Sequence, residues 1–147
     1  MTRLELTERI IAAKINKGLT WAAIAKAVGK SEIWTTAALL GQMSMTKKEA
    51  EAAVKKLGLD KEAVALLQVC PSKGSLDAVV PTDPLLYRFY EITQVFGTSI
   101  KEIIHEKFGD GIMSAIDFEM DIEKVPDPKG DRVKVTLNGK FLPYRKW

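Results

Sequence analysis

A chain of 147 residues, 46% hydrophobic and 28% charged, suits one medium domain or two small ones with a real core and is not the composition of a disordered protein. Its net charge of +3 arises in the N-terminal part, where residues 1–60 hold ten Lys or Arg against six Asp or Glu; that excess is too small for the dense basic patch on which phosphate binding depends. The single cysteine, Cys70, excludes an intramolecular disulfide, and with only one histidine the Cys/His cluster that zinc needs is absent.

The first residues, MTRLELTERI, carry charge every few positions and have no apolar stretch of the signal-peptide kind; no run reaches the ~18 apolar residues of a membrane span. A cytoplasmic protein without membrane attachment is expected. Leu4, Ile10, Ile11 and Ile15 recur at helical spacing among charged residues, which predicts an amphipathic helix over 4–17 ending at Gly18. Thr20 is placed to cap a helix from Trp21 to Val28 that Gly29 ends, and Ser31 to cap the next through Leu40.

Two short helices on a tight glycine turn resemble the paired helices of phage-repressor-type domains, the second of which enters the DNA major groove. Here the second helix reads SEIWTTAALL, with one acidic residue and no basic or amide side chain to meet a base edge. Packing or assembly is the favoured role, and no nucleic-acid partner is expected. The alternative is a helix-turn-helix regulator that binds DNA and carries a C-terminal dimerisation and anion-sensing domain.

Residues 46–57 predict a further amphipathic helix stopped by Gly58, and Asp60 caps a short apolar one through Val69. Cys70-Pro71-Ser72-Lys73-Gly74-Ser75 then gathers turn formers, with Pro81 and Pro84 close behind. This predicts a helical domain over 1–70, a linker over 71–81 and a second domain over 82–147. Cys70, just before a proline and 35 positions from the only histidine, has no activating neighbour in sequence and reads as an inert, partly buried thiol.

Asp83-Pro84 is a strong helix start. Eight of the twelve residues in LLYRFYEITQVF are apolar or aromatic and spread round the helical wheel, so the helix is expected to be buried nearly all round. Arg88 and Glu91 are the anomaly. Three residues apart, they share a face on which Glu91 can fix the guanidinium. Because burying charge costs several kcal/mol, the pair suits an anion clamp; a structural ion pair inside a subunit interface suits it equally.

Gly97 is expected to end this helix, and Ser99 with Glu102 to start another, SIKEIIHEKF, that Gly109 terminates. The only histidine, His105, reads as a helix-surface residue. Gly109 to Ala115 reads as a glycine-flanked loop whose amides could converge on an anion, with Ser114 adding a hydroxyl donor; a plain connection is the alternative. From Ile116 the period changes to two. Ile116, Phe118, Met120 and Ile122 alternate with acidic residues, PDPKGD supplies a turn, and Val133, Val135 and Leu137 alternate with Arg132, Lys134 and Thr136, so an antiparallel hairpin with opposed charges is predicted. Its apolar face needs a cover, and another subunit, with FLPYRKW packed across the interface, is the expected one.

Taken together, DPLLYRFYEITQVFGTSIKEIIHEKFGDGIMSAIDF and VPDPKGDRVKVTLNGKFLPYRKW resemble the C-terminal domain of the cyanases, the cyanate hydratase family, over about residues 82–147, while the helical part is similar to that family in architecture and only loosely in sequence. The resemblance implies an α+β fold: an all-helical bundle of the phage-repressor, helix-turn-helix type followed by a small C-terminal domain of helices and a β-hairpin that dimerises. It implies a lyase with Arg88, Glu91 and Ser114 as catalytic residues, Arg88, Ser114 and Ala115 as substrate contacts, and neither metal nor cofactor. Cyanate and bicarbonate are the implied small anionic partners. The implied assembly is a decamer of five dimers with active sites shared between subunits.

Overall fold

The computed structural model describes residues 1–72, 74 and 78–145; part of the expected linker over 71–81 and the last two residues of FLPYRKW lie outside them. The chain separates into two compact units, Met1–Ser75 and Leu76–Trp147.

The first unit is five helices: α1 (Arg3–Asn16), α2 (Trp21–Val28), α3 (Glu32–Leu39), α4 (Lys47–Leu57) and α5 (Lys61–Gln68). Thr2, Thr20, Ser31, Thr46 and Asp60 each accept from the amide three residues on, and Thr2–Glu5 and Thr46–Glu49 complete capping boxes. The amides those two glutamates receive hold both carboxyls below their ordinary pKa. Leu6, Ile10, Ile24, Leu39, Val54, Leu57 and Leu67 meet in one core. In α3, Thr35, Ala38 and Leu39 are buried and only Glu32 is fully exposed, so the helix presents no exposed basic or amide side chain of the kind that reads bases bidentately.

Arg3 holds this bundle together in a way the helical periodicity does not announce. It stands at the first position of α1, where the helix dipole disfavours a cation, yet its guanidinium donates to the carbonyls of Ala38 at 2.8 Å, Leu66 at 3.1 Å and Met43 at 3.3 Å. Ala38 and Leu66 lie in the last turns of α3 and α5, where their carbonyls also accept from the amides of Gly41 and Val69, each at 3.2 Å. Arg3→Met removes these three charge-assisted hydrogen bonds and is expected to lower stability by about 2–3 kcal/mol in urea denaturation. Arg9→Met, which removes an exposed pair with Asp60 and a contact with Met1 Sδ, is expected to leave the urea midpoint nearly unchanged.

The second unit is one helix, α6 (Pro84–Phe108), and two strands, β1 (Gly111–Val125) and β2 (Arg132–Pro143). Asp83 caps α6 by accepting from Leu85 and Leu86. One helix stands where two were expected. Gly97 is not among the positive-φ glycines, and the apolar repeat of Phe89, Ile92, Phe96, Ile100 and Ile103 runs straight across it. A mid-helix glycine costs only about 1 kcal/mol, too little by itself to end a helix.

The expected all-round burial of the helix is not met by this chain's own atoms: α6 has no buried residue, and Leu85, Val95, Phe96 and Ile103 are exposed. Among the described residues of this unit only Gly111 and Ser114 are buried.

The hairpin pairs Gly111 with Pro143 through Met113 with Phe141, and Phe118 with Gly139 through Val125 with Arg132. Glu123 and Lys134 are paired across it at 2.7 Å, and Lys124 meets Asp131 at 2.8 Å, the opposed charges expected. The strand starts at Gly111 rather than Ile116, so the anticipated loop over Gly109–Ala115 shrinks to Gly109 and Asp110. Its place is taken by a bulge, in which Ser114, Ala115, Ile116 and Asp117 lie opposite Lys140 alone. The segment FLPYRKW contributes Phe141 to Pro143 to its own chain's strand β2. No helix among the described residues is long and apolar enough to cross a membrane.

Candidate active site

Helical spacing places Arg88 and Glu91 on one face of α6, and Arg88 Nη1 lies 3.5 Å from Glu91 Oε2. Their side chains are 64% and 49% exposed. The pair forms as anticipated, but in the single chain it lies on an open helix surface, so the cost of desolvating it is not incurred within the chain.

Ser114 is the buried member, 7% exposed on the bulge. Its Oγ accepts from the amide of Ile116 at 3.1 Å and from that of Asp117 at 2.9 Å. A hydroxyl oxygen has two acceptor lone pairs; with both taken, the proton is left to point at something other than these amides. Ser114 is thus set up as a donor. These two amides lie just past the Gly109–Ala115 stretch over which an anion nest was anticipated, and they serve the serine. Ala115, next along, is exposed.

Among the described residues no hydrogen bond joins Ser114 to Arg88 or Glu91. Arg88 lies near the start of α6, and Ser114 follows its other end; at 1.5 Å per residue, Arg88 and Phe108 stand about 30 Å apart along the helix axis. The far end of α6 is tied to the bulge strand. His105 Nε2 lies 3.1 Å from the carbonyl of Gly111 and Nδ1 3.7 Å from Asp110, Tyr144 N–H donates to Asp110 O at 3.0 Å, and Phe108 stacks on Phe141 at 5.2 Å.

His105, at 21% side-chain exposure, is therefore a half-buried brace between helix and strand rather than the surface residue expected. Its partners lie across the turn at Gly109, out of reach of a reading confined to the helix. Cys70 is exposed, not partly buried. Among the described residues no three ligating side chains converge as a metal site requires. An open, largely apolar cleft between α6 and β1, lined by Gly97, Ile100, Ile104, Ile112, Met113 and Tyr144, includes neither Arg88 nor Ser114.

Comparison with known proteins bears on the whole length. Residues 3–71 match the family described as "Cyanate hydratase, N-terminal", and residues 78–146 the "Cyanate lyase C-terminal domain". The chain is similar to the cyanate hydratase of Albidiferax ferrireducens, 60% identical over 147 residues and 100% of both chains, and to that of Ralstonia pickettii, 58% identical over the same span. Its fold is similar to the crystal structure of cyanase from T. urticae, with a TM-score of 0.83 and 40% identity over 94% of this chain and 96% of that one. With both halves matched in order and relatives this similar from end to end, the chain belongs to the cyanate hydratase, or cyanate lyase, family.

Proposed function

We propose that this protein is a cyanate hydratase that decomposes cyanate with bicarbonate, using Arg88, Glu91 and Ser114 as its catalytic residues and Arg88, Ser114 and Ala115 as its substrate contacts. A bicarbonate oxygen attacks the cyanate carbon, and the adduct takes up one proton and loses carbon dioxide to leave carbamate, which takes up a second proton from water and falls apart to ammonia and carbon dioxide. The single observation that carries the mechanism is the Ser114 hydroxyl, buried and with both lone pairs engaged by amides, so that it has only a proton to offer an anion. Both reactants are anions, and the adduct gathers charge on carboxylate-like oxygens. The chemistry therefore calls for fixed donors and a cation, not for a base on the protein.

Arg88 supplies the cation. Its planar fork holds two oxygens at once, and Glu91 fixes the orientation of that fork. The reaction as drawn needs no metal or organic cofactor, bicarbonate being a co-substrate. Side-by-side binding makes the encounter effectively intramolecular, which can supply ~7–11 kcal/mol in favourable cases.

The site is shared between chains in a homo-oligomer, with a decamer of five dimers as the proposed assembly. The ~30 Å of helix axis between Arg88 and Phe108 supports sharing, as do the exposed apolar side chains of α6 and the hairpin, because a lone two-stranded hairpin is marginal in water. A helical domain over 1–70, joined by a linker over 71–81 to the catalytic domain over 82–147, would serve assembly. The proposed setting is the cytoplasm.

The test is ammonia release from cyanate, with and without bicarbonate, on size-fractionated protein. Bicarbonate-dependent release that co-elutes with the oligomer is expected. Release that ignores bicarbonate removes the co-substrate role, and no release from the assembled protein removes the enzyme reading altogether.

A further inference from the structure

We infer that Gly139 is a positioning residue for Ser114, an empty place in β2 that lets the bulge of β1 settle where the serine hydroxyl can donate. The inference rests on the catalytic reading of Ser114 above. Gly139 pairs with Phe118, the first residue past the bulge. A methyl built on Gly139 would run into the Ser114 carbonyl oxygen and Met113 Cγ, and would stand 3.2 Å from Met113 Sδ. The obstruction at Ser114 is backbone, which cannot swing aside as a side-chain tip can.

Nothing in the backbone of Gly139 itself asks for glycine, since it is not among the positive-φ residues. Space is the reason. The contrast is Gly130 in the hairpin turn, which has φ +119 and nothing within 4 Å of an added methyl; there conformation is the reason. A glycine inside a strand weakens pairing and packs nothing, so its presence marks a close approach. Here that approach is to the backbone of Ser114, whose Oγ is held in turn by the amides of Ile116 and Asp117. Any side chain at 139 would have to push Ser114 and its two amides together, and a misplacement of about 1 Å at a reacting group can cost ~10²-fold.

The experiment is a double-mutant cycle on the assembled full-length protein, read by bicarbonate-dependent cyanate turnover and by elution volume. Gly139→Ala is expected to elute as wild type, to lose ~10²-fold in kcat and to keep its KM for cyanate within about threefold. In a Ser114→Ala background the same change is expected to lower kcat no further, because its effect passes through a hydroxyl already removed. A purely structural glycine would instead lower activity equally in both backgrounds, and that result overturns the inference, as does wild-type kcat in Gly139→Ala.

If Gly139→Ala does not assemble, Met113→Ala/Gly139→Ala removes the side-chain part of the clash and keeps the part against Ser114 O. The same loss of kcat is expected there, and failure of both variants to assemble assigns the glycine to folding and overturns the inference. Normal turnover in Ser114→Ala alone removes the catalytic reading of the serine. An impaired Ser114→Ala beside an unimpaired Gly139→Ala removes only the role given to Gly139.

Discussion

Arg88→Leu is expected to give a folded oligomer that releases ammonia from cyanate more than about 10³-fold more slowly than wild type. The loss is large because the guanidinium is asked to do two things at once. In the proposed mechanism it offsets repulsion between two anions while they are bound, and it gathers the charge that appears on the adduct's oxygens afterwards. A leucine fills a similar volume and does neither.

The fold is expected to survive, since the Arg88–Glu91 pair lies on an open helix surface of the chain, 64% and 49% exposed, and exposed pairs contribute little to stability. Arg88→Lys separates charge from geometry: it restores a cation but not the two-pronged grip, and should recover only part of the rate. The measurement is initial ammonia release at saturating bicarbonate, with elution volume recorded on the same fractions. Near-normal turnover by an assembled Arg88→Leu protein would remove the anion clamp from the mechanism.

The sequence was most legible where a single residue type decides local structure. Thr20, Ser31, Asp60 and Asp83 cap the helices assigned to them, because an oxygen reaching the amides of the first turn is a local event. The alternation after Ile116 likewise found the hairpin and the charge pairing of Glu123 with Lys134. Gly97 misled for the opposite reason: glycine is a stop only when the backbone turns left-handed, and the apolar repeat running past it was the stronger signal. Arg3 passed as an ordinary helix charge because the carbonyls it holds belong to α3 and α5, 35 and 63 residues away. Its place at a helix N-terminus, unfavourable for a cation, was the one available hint.

The candidate site divides along the same line. Arg88 and Glu91 announce themselves as charges in an apolar run, and their pairing follows from helical spacing. The expectation that the helix was buried did not hold within one chain, since composition says that a surface must be covered without saying by which atoms. Ser114 was expected in a loop and stands instead on a strand bulge. Pairing of Ile112 with Leu142 and of Met113 with Phe141 draws the supposed loop into the strand, and those partners lie about 30 residues downstream, beyond any local pattern. What a loop reading could not supply is the bulge, which turns two amides onto the serine oxygen.

That arrangement decides what Ser114→Ala should do. The substitution removes the hydroxyl proton that the bulge can offer an oxyanion, and the loss of a well-aimed donor typically costs ~10²–10³ in turnover. It also strips the amides of Ile116 and Asp117 of their acceptor. Ile116 and Asp117 are both exposed in the chain, so water can take over part of that role, and the local cost is held to about 1–2 kcal/mol. The prediction is therefore a kcat lower by ~10²–10³, a smaller change in KM for cyanate and an unchanged elution volume. This differs from Arg88→Leu, which should damage binding and turnover together. If Ser114→Ala instead raised KM and spared kcat, the hydroxyl would be holding the ground state only, and the stabilisation of the developing oxyanion would have to come from Arg88 alone.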